Sequence, residues 1–309
     1  MSERAIPMTS MHDNYNVELE GSSMDEESRT LSDSKVNKVI EKKRKHYHYQ
    51  QPETHVKNQS LMAVICSSCC GKKFQTDLTY EELISFYKLK ELANTTFDSH
   101  STEYDYLFRQ LWEAFTEETP QTPQQDIVNE RWKEFGFQNS NPRSDFRAAG
   151  LLALRQLIRF VSKNRGRTRK MCDPKYDFCF SICSINISYF LMRYYHLANG
   201  MTIEKDRKSL CSRIALKTFC QILEQDEELL DKIHAMLLND LFEIWIELKK
   251  RVKGITLLDF SMATETMKKR FVRTTTYCFF SDFDHLRRQY SQKEVEFPTQ
   301  RPSLMMRKV

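Results

Sequence analysis

Apolar residues recur every three or four positions along four stretches of the chain, which is the spacing of one face of an α-helix. The first stretch follows Thr79 and Glu82, a capping-box pair that marks the start of a helix. One or two further helices are predicted between Thr256 and Tyr290. Together these patterns predict an all-α fold, a single multi-helix domain over residues 75–290. The periodic positions are Tyr80, Leu83, Ile84 and Tyr87; Tyr104, Leu107, Phe108, Leu111 and Phe115; Cys211, Ile214, Ala215, Thr218 and Ile222; and Leu230, Ile233, Leu237, Leu241 and Ile244.

One apolar segment, Tyr176 to Met192, lacks this period and is rich in Phe, Ile, Tyr and Cys. By residue propensity it would pass as a β-strand. No neighbouring segment offers a partner strand, so we predict a buried helix instead. The scarcity of glycine (7) and proline (8) in 309 residues supports this interpretation, because sheet proteins need many turns.

Both ends of the chain are predicted to lie outside the helical domain. Residues 1–58 are polar and low in aliphatic side chains, which predicts a disordered tail. The basic run Lys42–Lys45 within it is interpreted first as a solvated linker, ahead of a lipid contact or a nuclear address. Residues 291–309 are predicted to form a loose C-terminal tail.

A lead segment, residues 59–74, carries Cys66, Cys69 and Cys70 beside two lysines. Clustered cysteines next to lysines are typical of reversible palmitoylation, and we name them as candidate lipidation sites. A buried helix start with incidental cysteines is an equally good interpretation.

Composition excludes several classes of function. The net charge of +5 is mild for the length and disfavours a nucleic-acid partner. None of the nine cysteines falls in a repeated C-x-x-C pair with the spacing of a zinc site, so no metal is expected and the thiols are interpreted as reduced and buried. No phosphate-binding loop, dinucleotide fingerprint or hydrolase motif is present. With no secretory signal or membrane span in the sequence, we expect a cytoplasmic protein that is not a self-sufficient enzyme.

Residues 132–150 carry the densest chemistry of the chain. Asn141 before Pro142 predicts a helix N-cap, and the helix is expected to run to about Val161 with Arg147 in its early turns. There the helix dipole would favour an anion near Arg147. Gly150 inside that helix implies the close approach of another backbone.

The remaining positions of this stretch have expected structural roles. Trp132 and Phe137 should fill the core beneath a turn, and Gly136 should supply a backbone conformation that other residues resist. Asp145 is expected to pair with Arg147 or to accept amide hydrogen bonds at the helix start. Gln138 is expected to bond backbone across the turn or to reach a partner.

The same stretch resembles the central motif of the ELMO domain, W-x3-GFQ-x3-P-x2-DFR-x2-G-x-L-x-L-x2-L. Every fixed position is matched, and weaker similarity covers about residues 75–275. Ser184 stands where the family usually has glycine, and Ser144 where many members have threonine. A basic insert, Lys163–Lys170, has no family role and is interpreted as a solvated loop or an anionic-membrane contact.

The resemblance implies a function. In the ELMOD branch of the family this motif carries the arginine that activates Arf and Arf-like small GTPases, and Arg147 occupies that position. The implied partner is a GTP-loaded GTPase, which carries the GTP and Mg²⁺, so the chain needs no cofactor of its own. Peripheral contact with organelle membranes is also expected. The alternative is a noncatalytic adaptor in cytoskeletal or engulfment signalling, like the longer ELMO scaffolds, which tend to lack this arginine. A nucleic-acid binder using the basic runs has only composition in its favour.

Overall fold

The computed structural model describes residues 78–95, 102–117, 127–198, 211–277 and 280–297. These residues form α-helices and short 3-10 helices and contain no β-strand, so the fold is all-α as predicted. Short 3-10 helices lie at Glu130–Phe135, Pro142–Arg147, Pro174–Tyr176 and Leu257–Asp259. The α-helices are α1 (Tyr80–Ala93), α2 (Thr102–Thr116), α3 (Gly150–Lys163), α4 (Arg165–Met171), α5 (Phe180–Tyr194), α6 (Arg213–Gln225), α7 (Leu229–Arg251), α8 (Phe260–Tyr277) and α9 (Phe283–Gln292).

Local capping signals fix several helix starts. Thr79 and Glu82 form the predicted capping box at α1, with the Thr79 amide donating to Glu82 Oε2 at 2.7 Å. Ser212 caps α6 and Asp282 caps α9, and each of these side chains accepts a hydrogen bond from the backbone N–H three residues further along the chain. Such caps satisfy amide groups that the first turn of a helix leaves without partners.

Helix α3 lies at the centre of the domain. It packs against α1, α2, α5 and α7, and most of its apolar side chains are buried, with Ile158 partly buried. Helices α7 and α8 pack against each other, α7 also packs against α5, and α9 packs against both α7 and α8. The core thus runs continuously through the described helices, from Leu83 in α1 to Tyr290 in α9.

A buried polar chain links the three central helices. Ser184 of α5 lies 3.0 Å from Nε2 of His234 in α7, and both side chains are buried. Ser188 donates to Gln156 of α3 at 2.7 Å, and Gln156 donates to Asp231 of α7 at 3.1 Å. The serine at position 184 therefore has a structural partner.

Two helix predictions are confirmed. Tyr176–Met192 was expected to be a buried helix, and α5 covers most of it, with Tyr176 in the preceding 3-10 turn. The stripe from Leu230 to Ile244 is buried throughout, as is Trp245 beside it.

Two other predictions are wrong. Ile214 was placed on a buried stripe but is 65% exposed, because α6 begins only at Arg213 and buries the face of Ala215, Thr218 and Phe219 instead. The basic insert was interpreted as a loop, but Arg165–Met171 is the helix α4. Its arginines are fixed by ion pairs: Arg167 with Glu243 at 2.5 Å, and Arg169 with Glu117.

The predicted N-terminal tail, Lys42–Lys45 and the cysteines at 66, 69 and 70 lie outside the described residues. Within the described part of the chain, no helix is both long and apolar enough to cross a membrane. At the C-terminal end, α9 runs to Gln292, and Val295 and Phe297 pack against the core.

Candidate functional site

The site begins at a 3-10 helix that ends in a left-handed glycine. Asn129 caps Glu130–Phe135 by accepting the Arg131 amide at 2.9 Å. Gly136 then adopts φ 84° and ψ 25°, as predicted from its position in the turn. A Cβ there would lie 2.5 Å from the Phe180 amide nitrogen, so only glycine lets the turn approach α5 this closely.

Beneath this turn lies a cluster of aromatic rings. Trp132 is fully buried and meets Trp112 of α2 edge-on at 5.1 Å and Phe137 at 5.3 Å. Phe137 and Phe146 are also buried, with ring centroids 6.1 Å apart. The expected role of Trp132 and Phe137 as core residues is confirmed. The cluster anchors both ends of the 137–146 segment to α2.

Asp145 closes the loop between the two 3-10 helices. It was expected to pair with Arg147 or to accept amides at the helix start, but its Oδ2 accepts the amide of Gln138 at 3.0 Å. Burial raises the pKa of the Asp145 carboxyl, while that hydrogen bond and the nearby charge of Arg147 oppose the shift. Asp145 is thus a bridge across the loop, and the Gln138 side chain is left exposed.

The second 3-10 helix is held from the other side by α2. Asn141 caps it by accepting the Arg143 amide at 3.1 Å, and buried Pro142 takes the first helical position, as predicted. The Arg143 guanidinium forms an ion pair with Asp105 of α2. No local sequence pattern predicts this pair, because the two residues are 38 positions apart.

The prediction of one helix from Pro142 to Val161 is wrong. The 3-10 helix ends at Arg147, and α3 starts at Gly150 with φ +53°. A Cβ on Gly150 would lie 2.7 Å from the carbonyl oxygen of Thr95. The expected close approach of another backbone is therefore confirmed, and it is this approach that separates the two helices.

Arg147 consequently occupies the last residue of a short 3-10 helix and not the early turns of an α-helix. A helix dipole does not favour an anion beside Arg147, because the dipole of one short turn is small and the guanidinium stands at its C-terminal end. The side chain is exposed. Its guanidinium forms no ion pair or hydrogen bond with any residue that the structure describes. The positive charge of Arg147 nevertheless acts to lower the pKa of the nearby Asp145 carboxyl.

The segment from Gly136 to Gly150 is held against neighbouring backbone at both of its ends. Gly136 accepts the Ile182 amide at 3.3 Å in the first turn of α5. Gly150 meets Thr95, and the adjacent Asn94 donates to the carbonyl of Leu197, just beyond the last turn. Arg147 is thus carried on a strap fixed at both ends.

Other reactive groups lie away from this strap. Burial raises the pKa of the Cys172 thiol to about 12 and that of Cys183 well above its usual range, so both remain thiols at neutral pH. Among the side chains that the structure places, no three His, Cys, Asp or Glu residues are grouped to hold a metal ion.

Comparison with known proteins places the chain in a family. The model of the ELMO/CED-12 family matches residues 87–263, which is more than half of the chain and includes the whole strap. The chain is a member of the ELMO/CED-12 family. No solved structure matches it.

Individual ELMO relatives are distant. The chain is 24% identical over 210 residues to human "ELMO domain-containing protein 1", covering 63% of this chain and 60% of that protein. It is 21% identical over 204 residues to "ELMO domain-containing protein C" of Dictyostelium discoideum, covering 65% of this chain and 31% of the relative. Human "ELMO domain-containing protein 2" is 24% identical over 124 residues, which are 38% of this chain and 41% of that protein. The match therefore spans less than two thirds of each relative.

Proposed function

We propose that this ELMO-family protein is a GTPase-activating protein for an Arf-family or Arf-like small GTPase, and that Arg147 is the arginine it supplies. The observation that carries the proposal is the state of Arg147: exposed, without an ion pair among the described residues, and fixed in backbone position. An arginine that must enter another protein's nucleotide site needs this combination. Its backbone must be positioned, and its guanidinium must be available.

Other arginines near the strap do not meet both conditions. Arg143 is committed to Asp105, and Arg159 of α3 pairs with Asp231 at 2.5 Å. Breaking such pairs would leave buried or half-buried carboxylates without partners. The Arg147 side chain can enter a partner without breaking an ion pair to any described residue.

The supports of Arg147 keep its backbone in one place. Phe146, the preceding residue, is fully buried, and Asp145 is bonded to the Gln138 amide. The following turn is closed by the contact of Gly150 with Thr95. Positioning of this kind reduces the conformational entropy lost when the arginine enters a partner.

The chemistry requires only this one residue. In phosphoryl transfer to water, negative charge develops on the phosphate oxygens, and a guanidinium supplied in trans stabilises it. The effect is about 10³–10⁵ in rate, or roughly 4–7 kcal/mol of barrier. Mg²⁺ and GTP would be bound by the GTPase. Trp132, Gly136, Phe137, Gln138, Pro142, Asp145 and Gly150 would hold the strap or contact the partner.

The test is single-turnover GTP hydrolysis by a panel of Arf and Arf-like GTPases, with and without the purified chain. The chain should accelerate at least one of them. Arg147→Lys keeps the charge but loses the planar fork that can bridge two phosphate oxygens. We expect it to fold normally and to lose about two orders of magnitude or more of the acceleration.

Arg288→Lys is the matched control. Arg288 is also exposed, but it lies on α9, away from the strap. The control should accelerate hydrolysis like the unaltered chain. If no GTPase in the panel responds, or if Arg147→Lys is fully active, the adaptor interpretation replaces this proposal.

A further inference from the structure

The turn that joins α7 to α8 exposes two leucines. Helix α7 ends at Arg251, and α8 begins at Phe260 and packs back against α7. Between them, Leu258 is 94% exposed and Leu257 is 47% exposed. Isolated apolar residues on a surface need no explanation, but two adjacent leucines at the end of a helix pair form an apolar tip.

The tip is ordered. Thr256 and Asp259 form a capping box, in which Asp259 Oδ2 accepts the Thr256 amide at 2.9 Å. A backbone hydrogen bond of 2.9 Å from the Asp259 amide to the Thr256 carbonyl also closes the turn. Leu257 and Leu258 lie inside this closed turn. The neighbouring Val252 and Ile255 pack against the core, so the turn buries some apolar side chains and presents the two leucines outward.

Basic side chains precede the tip at the end of α7. Residues 247–260 carry a net charge of +2, with four cations between positions 249 and 253, of which Lys249 pairs with Asp177 at 2.7 Å. Lys250 and Arg251 share one carboxylate, Glu247, at 3.4 and 2.7 Å. Lys253 is exposed and forms no ion pair with any residue that the structure places. Asp259 is occupied by the capping box. The field around the leucines is therefore positive.

We propose that this turn binds an anionic membrane surface, with Leu257 and Leu258 entering the interfacial region and the preceding cations contacting lipid headgroups. Apolar side chains next to lysine and arginine have this use, since burial of the side chains and attraction to anionic lipid act together. Two leucines offer far less area than the roughly 800 Å² per partner of a stable protein interface. A bilayer needs no such area, because a few inserted side chains and several charges give reversible binding.

The proposal does not rest on GTPase activation and has its own readout. Full-length protein made in bacteria, and so without lipid attached, is sedimented with phosphatidylcholine vesicles that contain or lack phosphatidylserine. It should bind the vesicles with phosphatidylserine more tightly. The double variant Leu257→Ser/Leu258→Ser should partition about tenfold less or weaker still, since the inserted hydrocarbon is removed. Lys253→Gln should lower partitioning about fivefold, the share of one lysine near an anionic surface.

Val128→Ser is the matched control. Val128 is 57% exposed, comparable to Leu257, but lies in the turn before the 3-10 helix Glu130–Phe135 and not in the turn that joins α7 to α8. Its partitioning should not change. Since both leucines are exposed, the double variant should keep the thermal melting curve of the unaltered protein, which separates lost binding from lost folding.

A second measurement follows the tip itself. Leu258→Trp places an indole at the exposed position, whereas the native Trp112, Trp132 and Trp245 are buried. Its emission should shift to the blue when vesicles containing phosphatidylserine are added. Unchanged emission, double-serine partitioning within twofold of the unaltered protein, or no preference for phosphatidylserine would each overturn the proposal. Binding retained by the double variant would assign it to another part of the chain.

Discussion

Alanine substitutions at Gly136 and Gly254 should measure how tightly the strap packs against α5. The measure is the difference between the two losses in the free energy of unfolding. Both glycines adopt left-handed backbone, with φ +84° and +70°. Alanine at either position therefore bears the cost of that conformation, about 1–2 kcal/mol. At Gly254 no heavy atom lies within 4 Å of the added Cβ, so this cost should be the whole effect.

At Gly136 a second cost is added. The new Cβ would lie 2.5 Å from the Phe180 nitrogen and 2.8 Å from the Cys179 carbonyl carbon, both backbone atoms at the start of α5. Backbone cannot rotate away as a flexible side chain can, so the strap or the helix must move, at about 1–3 kcal/mol for overpacking. We expect Gly136→Ala to lower the free energy of unfolding by about 2–5 kcal/mol, against about 1–2 kcal/mol for Gly254→Ala.

The assay is equilibrium unfolding in urea for the two variants and the unaltered chain, with a check that the m values agree. Thermal melting gives an independent ranking. Equal losses at the two positions would show that Gly136 is not pressed against α5 and would overturn this prediction.

Three further predictions concern other parts of the molecule. Burial lowers the pKa of His234 to about 4, so the unfolded state binds more protons than the folded state between that pH and the ordinary pKa near 6.5. The contribution of His234 to the free energy of unfolding should therefore fall by about 3 kcal/mol as pH drops through this window, and His234→Gln should remove that contribution; an unchanged slope in urea titrations would contradict it. Deleting residues 1–60 should leave the helical circular dichroism signal and the GTPase stimulation intact, and loss of cooperative melting would refute the predicted boundary. Replacing Cys66, Cys69 and Cys70 with serine should move the protein expressed in cells toward the soluble fraction without changing stimulation in solution, whereas a joint fall of rate and helical signal would identify them as core residues.

Much of the fold could be predicted because its signals are local. The long stripe from Leu230 to Ile244 has one period over many turns, and only a buried helix satisfies it. The capping box of Thr79 and Glu82 and the left-handed Gly136 are equally local, since a few neighbouring residues determine each.

The errors arise where distant contacts decide. Asn141 and Pro142 indicate where a helix begins but not how long it is. The close approach of the Thr95 backbone to Gly150 separates this short 3-10 helix from α3. The pair of Arg143 and Asp105 joins residues far apart in sequence.

The prediction of a loop at the basic insert was wrong for the same reason. A run of charges looks like a solvated loop when read alone, but Glu117 and Glu243 lie where they can pair with Arg169 and Arg167 of α4. Local sequence patterns predict the buried faces of helices and the positions of turns. The partners of charged side chains depend on how distant segments pack together.

We propose that Arg147 acts on the transition state of GTP hydrolysis and not merely in binding. The most direct measurement compares the affinity of the chain for a responsive GTPase loaded with a slowly hydrolysed GTP analogue and for the same GTPase loaded with GDP and aluminium fluoride, which mimics the transferring phosphoryl group. The unaltered chain and Arg288→Lys should prefer the aluminium fluoride state by about 100-fold or more. Arg147→Lys should bind the GTP-analogue state normally and lose most of that preference. Equal affinity of the unaltered chain for the two states, or a full preference retained by Arg147→Lys, would show that Arg147 does not act on the transition state.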